Sequence, residues 1–300
     1  MGIRMSTTEN RTKEKRGRSR FQTVGVYFVL CLLAFTMTIP FIWMVLGSLK
    51  PNSEVEQPHF VPQDWQPENY AVVLGLSFAA EEISELDIDF TRWYYNSIFV
   101  TFAVTTFQLL TCAMAAYAFA RIKWKGRDTL FLFFLATLMI PPLVLLIPNF
   151  QLMVSFDLVD TYAGLILPSV FFGAPFGIFL MRQFMLTIPS SLDEAAAIDG
   201  ANHYQVFWEI ILPLSRAGLV TLAIFAFMAN FQSFFWPLVM LKREALFTLP
   251  IGLLSFDSSY GRQTELILAA TVISIAPLIV LFLFAQKTIV EGIQLGALKG

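Results

Sequence analysis

Six long blocks without a single Asp, Glu, Lys or Arg constrain the fold of this chain more than any other feature. They are residues 21–49, 93–120, 129–156, 161–181, 217–241 and 266–286. A helix needs about 20 apolar residues to cross the hydrocarbon core of a bilayer, and every block is that long. Charged residues make up only 14% of the chain, against about 25% in a soluble domain. The sequence therefore predicts an all-α membrane protein with six transmembrane helices.

The charges between the blocks predict the orientation of the chain in the membrane. Lys and Arg precede the first block and separate the second from the third, at Arg4, Arg11, Lys13, Lys15, Arg16, Arg18, Arg20, Arg121, Lys123, Lys125 and Arg127. Acids crowd the loop between the first two blocks, at Glu54, Glu56, Asp64, Glu68, Glu81, Glu82, Glu85, Asp87 and Asp89. Because Lys and Arg favour the cytoplasmic side, both termini and residues 182–216 are predicted to be cytoplasmic, and residues 50–92 external.

These assignments divide the chain into five parts. They are a basic cytoplasmic tail (1–20), the first membrane helix (21–49), an external loop (50–92), a core of five membrane helices (93–286) and a cytoplasmic C-terminal tail (287–300). The external loop is rich in proline, which permits no more than one short helix, near residues 67–74.

Prolines interrupt the third and fourth blocks. The third contains Pro141, Pro142 and Pro148, and the fourth contains Pro168 and Pro175. Each removes a helical hydrogen bond and kinks the helix. In lipid, the freed carbonyl groups must find partners inside the protein or in a water-filled cavity. Two interpretations stay open: broken helices that line a pathway or form a hinge, and kinked helices that pack through small residues.

The residue types argue against several classes of protein. The chain has no Gly-x-x-x-x-Gly-Lys-Ser/Thr phosphate loop, so we expect that it does not bind ATP by that device. Its two histidines, His59 and His203, and its two cysteines, Cys31 and Cys112, indicate no catalytic set, metal site or disulfide framework. The alternative function is an ion-driven secondary transporter. That class usually carries acidic or basic residues within its spans, and the six blocks contain none.

The polar segment 188–213, between the fourth and fifth blocks, predicts two short helices joined at a glycine. Ser191 and Glu194 have the spacing of a capping box at the start of the first helix, and Gly200 is expected to end it. Three apolar residues share one face of that helix at i, i+3 and i+4, namely Leu192, Ala195 and Ala196.

The second helix of this segment, which Pro213 closes or kinks, carries an apolar stripe. Its residues fall at i, i+3, i+4 and i+7: Tyr204, Phe207, Trp208 and Ile211. We expect both helices to lie on the cytoplasmic surface, with the acids of the first, Asp193, Glu194 and Asp199, available to pair with Arg or Lys of a partner protein. A hairpin that rests only on its own bundle is the alternative.

Polar residues within the apolar blocks are candidates for contact with a transported solute. They are Gln108, Asn149, Gln151, Asn230, Gln232 and Ser233. Polar groups in hydrocarbon are costly unless they are buried among partners, so hydrogen bonding between helices is the competing explanation for each of them.

A resemblance to a known family rests on several motifs. The run Glu-Ala-Ala-Ala-Ile-Asp-Gly-Ala at 194–201, with Ile-Leu-Pro at 211–213, resembles the EAA signature of ABC importer permeases. Further segments resemble the smaller permease subunit of maltose-type carbohydrate importers: Ser48-Leu49-Lys50-Pro51, Asn96-Ser97, Ala115–Arg121, Leu145–Pro148, Gly177–Phe184, Trp236-Pro237-Leu238, Thr248-Leu249-Pro250 and Leu295–Gly300. At 231–233 the chain has Phe-Gln-Ser, where this family often has Trp-Asn-Asp.

The resemblance implies a type I ABC importer permease fold, with segment 188–213 as the coupling hairpin. Contact with an ATPase subunit would involve Asp193, Glu194, Ala195, Ala196, Asp199 and Gly200. The implied partners are a second, dissimilar permease, two ATPase subunits that bind ATP and Mg, and an external solute-binding protein, with a carbohydrate as the solute and lipid around the spans. The implied location is a bacterial or archaeal plasma membrane. Neither a cofactor on this chain nor a nucleic acid partner is implied.

Overall fold

The computed structural model describes the backbone of residues 20–76, 89–172, 174–257 and 263–297, and the side chains of residues 23–76, 89–171, 174–256 and 263–286. These residues form helices and turns, with no strand among them. Most of the predicted basic tail (1–20), the acids at Glu81, Glu82, Glu85 and Asp87, and the last three residues lie outside the described residues.

The helices follow one another with short connections, several of them 3₁₀ turns. In chain order they are α1 (Arg20–Gly47), α2 (Asn52–Val55), α3 (Glu68–Val73), α4 (Phe90–Ala120), α5 (Arg127–Ala136), α6 (Leu146–Ser155), α7 (Tyr162–Phe172), α8 (Ala174–Leu186), α9 (Ser191–Ile198), α10 (His203–Leu214), α11 (Arg216–Phe231), α12 (Phe235–Met240), α13 (Leu249–Gly252) and α14 (Thr264–Ala297).

Three helices are each long and apolar enough to cross a membrane, and three bent pairs meet the same criterion together. The single helices are α1, α4 and α14. The pairs are Arg127–Met139 with Pro142–Ser155, bent by 94°, Tyr162–Phe171 with Ala174–Leu186, bent by 45°, and His203–Leu214 with Arg216–Phe231, bent by 75°. Counting each bent pair as one span gives six, as the sequence predicts, although the third pair starts within the hairpin that we had placed outside the membrane.

The third and fifth blocks are each divided into separate helices. In the third, Ile140 is extended and Pro142 begins a new 3₁₀ turn, because proline supplies no N–H group to continue the preceding helix. In the fifth, α11 ends at Phe231 and helix resumes only at Phe235. The break in the third block agrees with its prolines, whereas the break in the fifth block was not predicted.

Helix α4 lies at the centre of the bundle and packs against α7, α8 and α11. Gly177 allows α8 to approach α4 closely, since a Cβ at that position would lie 2.6 Å from Cys112 Sγ on α4. The inner part of this core is one apolar cluster that also includes Ala196 of α9 and Phe207 and Ile211 of α10. The predicted cytoplasmic hairpin is thus packed directly onto the membrane bundle.

The two terminal helices are unusual, α1 because most of its surface is exposed and α14 because of its length. Helix α1 packs against α14, and the rest of its apolar surface is exposed in this chain. Helix α14 has 34 residues and is about 51 Å long, well beyond the ~30 Å hydrocarbon core. The helix continues through most of the predicted C-terminal tail (287–300), as far as Ala297.

The external loop is more ordered than its prolines suggest. The predicted helix near 67–74 is present as α3, and α2 precedes it. Asn69 donates from Nδ2 to the backbone carbonyls of Ser48 and Lys50 at 3.0 and 2.9 Å, and Glu54 accepts the Gln63 N–H at 2.8 Å. Lys50 is buried and donates to the backbone carbonyl of His59. These bonds fold the loop onto the end of α1.

Candidate functional site

The first helix of the hairpin, α9, does not start with the capping box that the sequence predicts. It begins at Ser191, and the preceding Ser190 has helical backbone angles and no side-chain cap. The capping box belongs to the next helix. Asn202 Oδ1 accepts the N–H groups of Tyr204 and Gln205 at 3.0 Å each, and Gln205 Oε1 accepts the Asn202 N–H at 2.9 Å. The Asn-x-x-Gln spacing at 202–205 is a signal that we missed.

Gly200 ends α9, as predicted. Its φ is +81°, a left-handed conformation that is strained for any residue with a Cβ. The N–H of Ala201 donates to the carbonyl of Ala196 at 2.9 Å and that of Gly200 donates to the carbonyl of Ala197 at 3.2 Å. This pair of bonds is a Schellman motif, which satisfies the last carbonyl groups of the helix and turns the chain toward α10.

The six residues predicted to contact the ATPase divide between two sides of α9 and its end. Ala196 is buried against the bundle, and Asp193 is half-buried. The remaining four are exposed: Glu194, Ala195, Asp199 and Gly200. Of Leu192, Ala195 and Ala196, which are predicted to share one face, only Ala196 is buried, and the other two are exposed.

Asp193 is held by Arg121, which the sequence indicates only as an orientation signal and as the end of the Ala115–Arg121 motif. Arg121 Nη1 donates to Asp193 Oδ2 at 2.7 Å. Its Nη2 donates to the backbone carbonyls of Met185 and Ile188 at 2.5 and 2.7 Å. The side chain of Arg121 is only 8% exposed and that of Asp193 27%. One guanidinium thus joins the end of α4, the end of α8 and the first turn of α9.

The second helix of the hairpin, α10, departs from the predicted 3.6-residue stripe. Residues Val206–Ile211 form a π-helix, in which each turn takes in an extra residue. Phe207 and Ile211 are buried as expected, but Tyr204 and Trp208 are exposed and Val206 is buried instead. Phe207 packs on Tyr117 of α4 with ring centroids 5.2 Å apart. With the wider π-helical turn, only two of the four predicted stripe residues, Phe207 and Ile211, are buried, and Val206 is buried with them.

A cavity of about 790 Å³ lies in the membrane bundle beside α4 and α11. Its lining consists of Gln108, Pro142, Leu143, Leu146, Asn149, Pro168, Ser169, Phe176, Leu222, Phe225, Ala226, Ala229, Asn230, Ser233, Phe234, Phe235 and Trp236. We call it the central cavity. Four of the six polar residues predicted for the pathway, Gln108, Asn149, Asn230 and Ser233, line it. Gln151 and Gln232 are exposed and are not part of this lining.

The two explanations offered for mid-span polar residues both apply at this cavity. Asn230 donates from Nδ2 to Gln108 Oε1 at 3.4 Å and to the Ala226 carbonyl at 2.7 Å, so it joins two helices while lining the space. Both helix breaks also contribute to the cavity lining: Pro142 follows the break in the third block, and Ser233 lies within the break in the fifth. This placement favours the interpretation that the broken helices line a pathway, because irregular backbone at membrane depth needs such a cavity or protein around it.

The opposite end of the bundle is fastened by a second set of polar contacts, centred on the 241–249 segment. Asp160 has φ +60° and accepts the N–H groups of Lys242 and Arg243 at 2.9 and 3.1 Å. Arg243 Nε donates to Asp160 Oδ2 at 2.6 Å. Partial burial opposes ionisation of Asp160, but the two N–H groups and the guanidinium outweigh it and lower the pKa of this carboxyl below its ordinary value.

Asn96 adds three bonds at the same end. Its Nδ2 donates to two carbonyls of the 241–249 segment, those of Ala245 and Phe247, at 3.0 and 2.9 Å, and its Oδ1 accepts the hydroxyl of Tyr162 at 2.7 Å. Ser97 Oγ accepts the N–H of Leu249 at 2.7 Å. We call the contacts of Asn96, Ser97, Asp160 and Tyr162 with this segment the external clasp. They give a structural reason for the Asn96-Ser97 and Thr248-Leu249-Pro250 motifs.

Comparison with known proteins agrees with this geometry. A family model described as the binding-protein-dependent transport system inner membrane component matches residues 109–294. The arabinooligosaccharides transport system permease protein AraQ of Halalkalibacterium halodurans is 34% identical over 93% of this chain and 95% of that protein. The trehalose/maltose transport system permease protein MalG of Thermococcus litoralis is 33% identical over 90% of this chain and 94% of that protein.

A chain of similar fold is found in the solved structure of an ABC transporter. The crystal structure of a bacterial ABC transporter involved in the import of the acidic polysaccharide alginate contains a chain that superposes with a TM-score of 0.77 at 25% identity, over 91% of this chain and 99% of that one. The matched family model spans well over half of the sequence and includes α9, α10 and every lining residue of the central cavity except Gln108. The chain therefore belongs to the family of inner membrane components of binding-protein-dependent transport systems, and it is a non-catalytic permease subunit of an ABC importer.

Proposed function

We propose that this permease forms half of the pathway for a neutral oligosaccharide and takes its energy from a separate ATPase subunit that binds at α9. The observation that carries the proposal is the central cavity, in which amide and aromatic side chains line the space and no charged side chain is among the lining residues. Its volume of about 790 Å³ falls within the range of about 300–1,000 Å³ for small-molecule sites.

The chemistry of the lining suits a sugar. The amides of Gln108, Asn149 and Asn230 offer both donors and acceptors, which is what a hydroxyl group requires. Phe225, Trp236 and three other aromatic residues offer apolar faces for the C–H surfaces of a sugar ring. An acidic sugar would instead leave its carboxylate without a cation in this part of the bundle, and an unpaired charge in such a space is costly.

The relatives support the carbohydrate class. Their names refer to arabinooligosaccharides and to trehalose and maltose, and others refer to lactose and diacetylchitobiose. The importer of similar shape handles alginate, an acidic polysaccharide. The uncharged lining leads us to place this chain with the importers of neutral sugars.

Energy coupling is assigned to the exposed side of α9. Glu194, Ala195 and Asp199 are exposed there, so small side chains allow close approach and the acids are available for charge-assisted bonds to a partner arginine or lysine. ATP and Mg would bind to the partner, and closure of two ATPase subunits would displace α9. The bundle would then alternate between two states, with ATP and the loaded solute-binding protein deciding which is populated.

The proposed assembly contains a second, dissimilar permease, two ATPase subunits and an external solute-binding protein. The exposed apolar surface of α1 is available to lipid and to the second permease. Both termini and the hairpin would be cytoplasmic. The side-chain contacts fit this topology, since Arg121 bonds to Asp193 at one end of the bundle while Asp160 bonds to Arg243 at the other. An ion-driven transporter, the alternative, does not fit a member of this family.

Competition for uptake tests the choice of solute. Membrane vesicles that contain the complete importer and its binding protein would be given a labelled neutral oligosaccharide, with unlabelled neutral or uronic oligosaccharides as competitors. We expect the neutral competitors alone to reduce uptake. Replacement Asn230→Leu, in the central cavity, should reduce uptake of the neutral sugar, whereas Gln232→Leu, the neighbouring exposed amide, should not. Stronger competition by uronic oligosaccharides would contradict the proposal.

A further inference from the structure

We propose that Arg121 is a positioning residue that transmits the movement of α9 to α4 and thereby to the wall of the central cavity. The inference rests on the proposed function, because it assumes that a partner ATPase moves α9. It adds a role that the EAA signature does not contain, since Arg121 lies 72 residues before Asp193 in the sequence. Three observations support this role: the hydrogen-bond partners of Arg121, the burial of these bonds and the uninterrupted course of α4.

The bonds of Arg121 divide between a fixed and a movable neighbour. Nη2 donates to two carbonyls at the end of α8, that of Met185 in its last turn and that of Ile188 just beyond it, where the regular helical hydrogen bonds run out. Nη1 donates to Asp193 in the first turn of α9. The first two bonds therefore attach α4 to α8, and the bond to Asp193 is the polar link from Arg121 to the helix that the ATPase would move.

Burial makes this link stiff. The Arg121 side chain is 8% exposed, and its Nε has no hydrogen-bond partner among the described residues. A charge-assisted bond of 2.7 Å in such surroundings is shorter and stronger than one between neutral groups, and water does not readily replace it. Loss of the carboxylate would leave a buried guanidinium without the carboxylate that pairs with it, which is costly. A displacement that separates Asp193 from Arg121 is thus disfavoured, whichever of the two residues moves.

Helix α4 is suited to carry the displacement. It runs for 31 residues, Phe90–Ala120, and contains neither proline nor glycine, whereas α1, α7 and α14 each contain a proline. Kinks almost always occur at such residues, so α4 is expected to move as one rod. Gln108, which lines the central cavity, lies about 20 Å from Arg121 along this rod at ~1.5 Å per residue.

The apolar packing of the hairpin does not make the ion pair redundant. Ala196 and Phe207 also contact the inner cluster, but apolar contacts are not directional and permit sliding. The ion pair fixes the direction in which α9 can pull on α4. A purely structural role for Arg121, as a cap for α8, predicts that its removal lowers the amount of folded protein without changing how efficiently the folded protein couples ATP hydrolysis to uptake.

The experiment measures solute taken up per ATP hydrolysed by the complete importer in proteoliposomes, with the ATPase subunits and the loaded binding protein present. Asp193→Ala breaks the link and leaves the bonds of Arg121 to α8 in place. We expect uptake per ATP to fall about tenfold, within the usual range of coupling between sites. Asp193→Glu, which keeps the charge, should restore most of it. Asp128→Ala is the matched control, because Asp128 is a more exposed carboxylate paired with Arg127 and Arg182 at the same end of the bundle.

A distance measurement separates positioning from folding. Spin labels at Met114 on α4 and at Ile198, the last residue of α9, both exposed positions, should keep a constant separation when ATP is bound in the otherwise wild-type protein and should separate in Asp193→Ala. Normal uptake per ATP in Asp193→Ala, or a constant label separation in that variant, would overturn the positioning role. Failure of the proposed function would look different, since wild-type uptake would then be independent of the ATPase subunits.

Discussion

The two ends of this permease are fastened in different ways. At the external clasp, Asn96 and Asp160 bond mainly to backbone groups of the 241–249 segment, so the loops that connect the helices are locked together. At the hairpin end, the principal polar link to α9 is the Arg121–Asp193 pair, and the outer side of α9 is uncovered. The fold therefore holds the connecting loops together at one end, while at the other end it leaves the outer side of α9 exposed, where we propose that the ATPase binds.

The largest effect is expected from reversing a charge on the uncovered side of α9. Glu194→Lys places a cation where we expect a cation of the ATPase, and a like-charge contact costs several kcal/mol. Uptake should fall about a hundredfold at ~1.4 kcal/mol per factor of ten, and the ATPase should no longer copurify. Glu209→Lys is the matched control, since Glu209 is an exposed acid on α10. Equal loss in both variants, or normal uptake with Glu194→Lys, would contradict the assignment.

A smaller but still large effect is expected at the end of α9. Gly200→Leu forces a side chain into a left-handed backbone conformation with φ +81°, which costs about 1–2 kcal/mol, and it also adds bulk beside the exposed acids. Uptake should fall about tenfold, since the strain alone nearly supplies a factor of ten. Gly126→Leu has a similar φ, +86°, but lies in the α4–α5 connection. If it impairs transport as much, backbone strain and not the position of Gly200 is responsible.

At the external clasp the expected effect is on stability rather than on coupling. Asn96→Ala removes three hydrogen bonds of a buried side chain. At about 0.5–1.5 kcal/mol each, the free energy of unfolding should fall by about 2–4 kcal/mol, while uptake per ATP by the folded protein stays unchanged. Thermal unfolding in detergent and uptake by the reconstituted importer check the two parts. A change in uptake per ATP would mean that this end also takes part in coupling.

The smallest effect concerns Asp160. Because its pKa is lowered in the folded state, its contribution to stability is present above the ordinary carboxyl pKa of about 3.9 and is lost as the pH falls through the lower folded-state value. Asp160→Asn should lower the melting temperature by about 2 °C or less at neutral pH. The difference from the wild type should disappear in acid below the folded-state pKa. A difference that grows on acidification would contradict this sign.

How much the sequence predicts depends on the distance over which each signal acts. The blocks, the hairpin, the end of α9 at Gly200 and α3 all depend on neighbouring residues, and they were predicted. The Arg121–Asp193 and Asn96–Ala245 contacts join residues 72 and 149 positions apart. Periodicity carries no information about such pairs, so an arginine after a span could be interpreted only as an orientation signal.

Local patterns also failed where an unusual backbone intervened. Pro141 and Pro142 predict a kink, but the bend of 94° depends on what the following helix packs against. The stripe at Tyr204, Phe207, Trp208 and Ile211 assumes an α-helix, and the π-helix at Val206–Ile211 changes which side chains face the bundle. Four of the six mid-span polar residues line the central cavity. Gln151 and Gln232 do not, because residue spacing shows neither the exposed face that carries Gln151 nor the helix break that contains Gln232.

The claim that a separate ATPase drives this permease through α9 is tested most directly by sugar uptake. Proteoliposomes that contain both permeases, with the binding protein and sugar outside and ATP inside, would be prepared with and without the ATPase subunits. We expect uptake that requires the ATPase subunits and ATP and that is lost with Glu194→Lys. Uptake by the permeases alone, driven by an ion gradient and indifferent to Glu194→Lys, would contradict it.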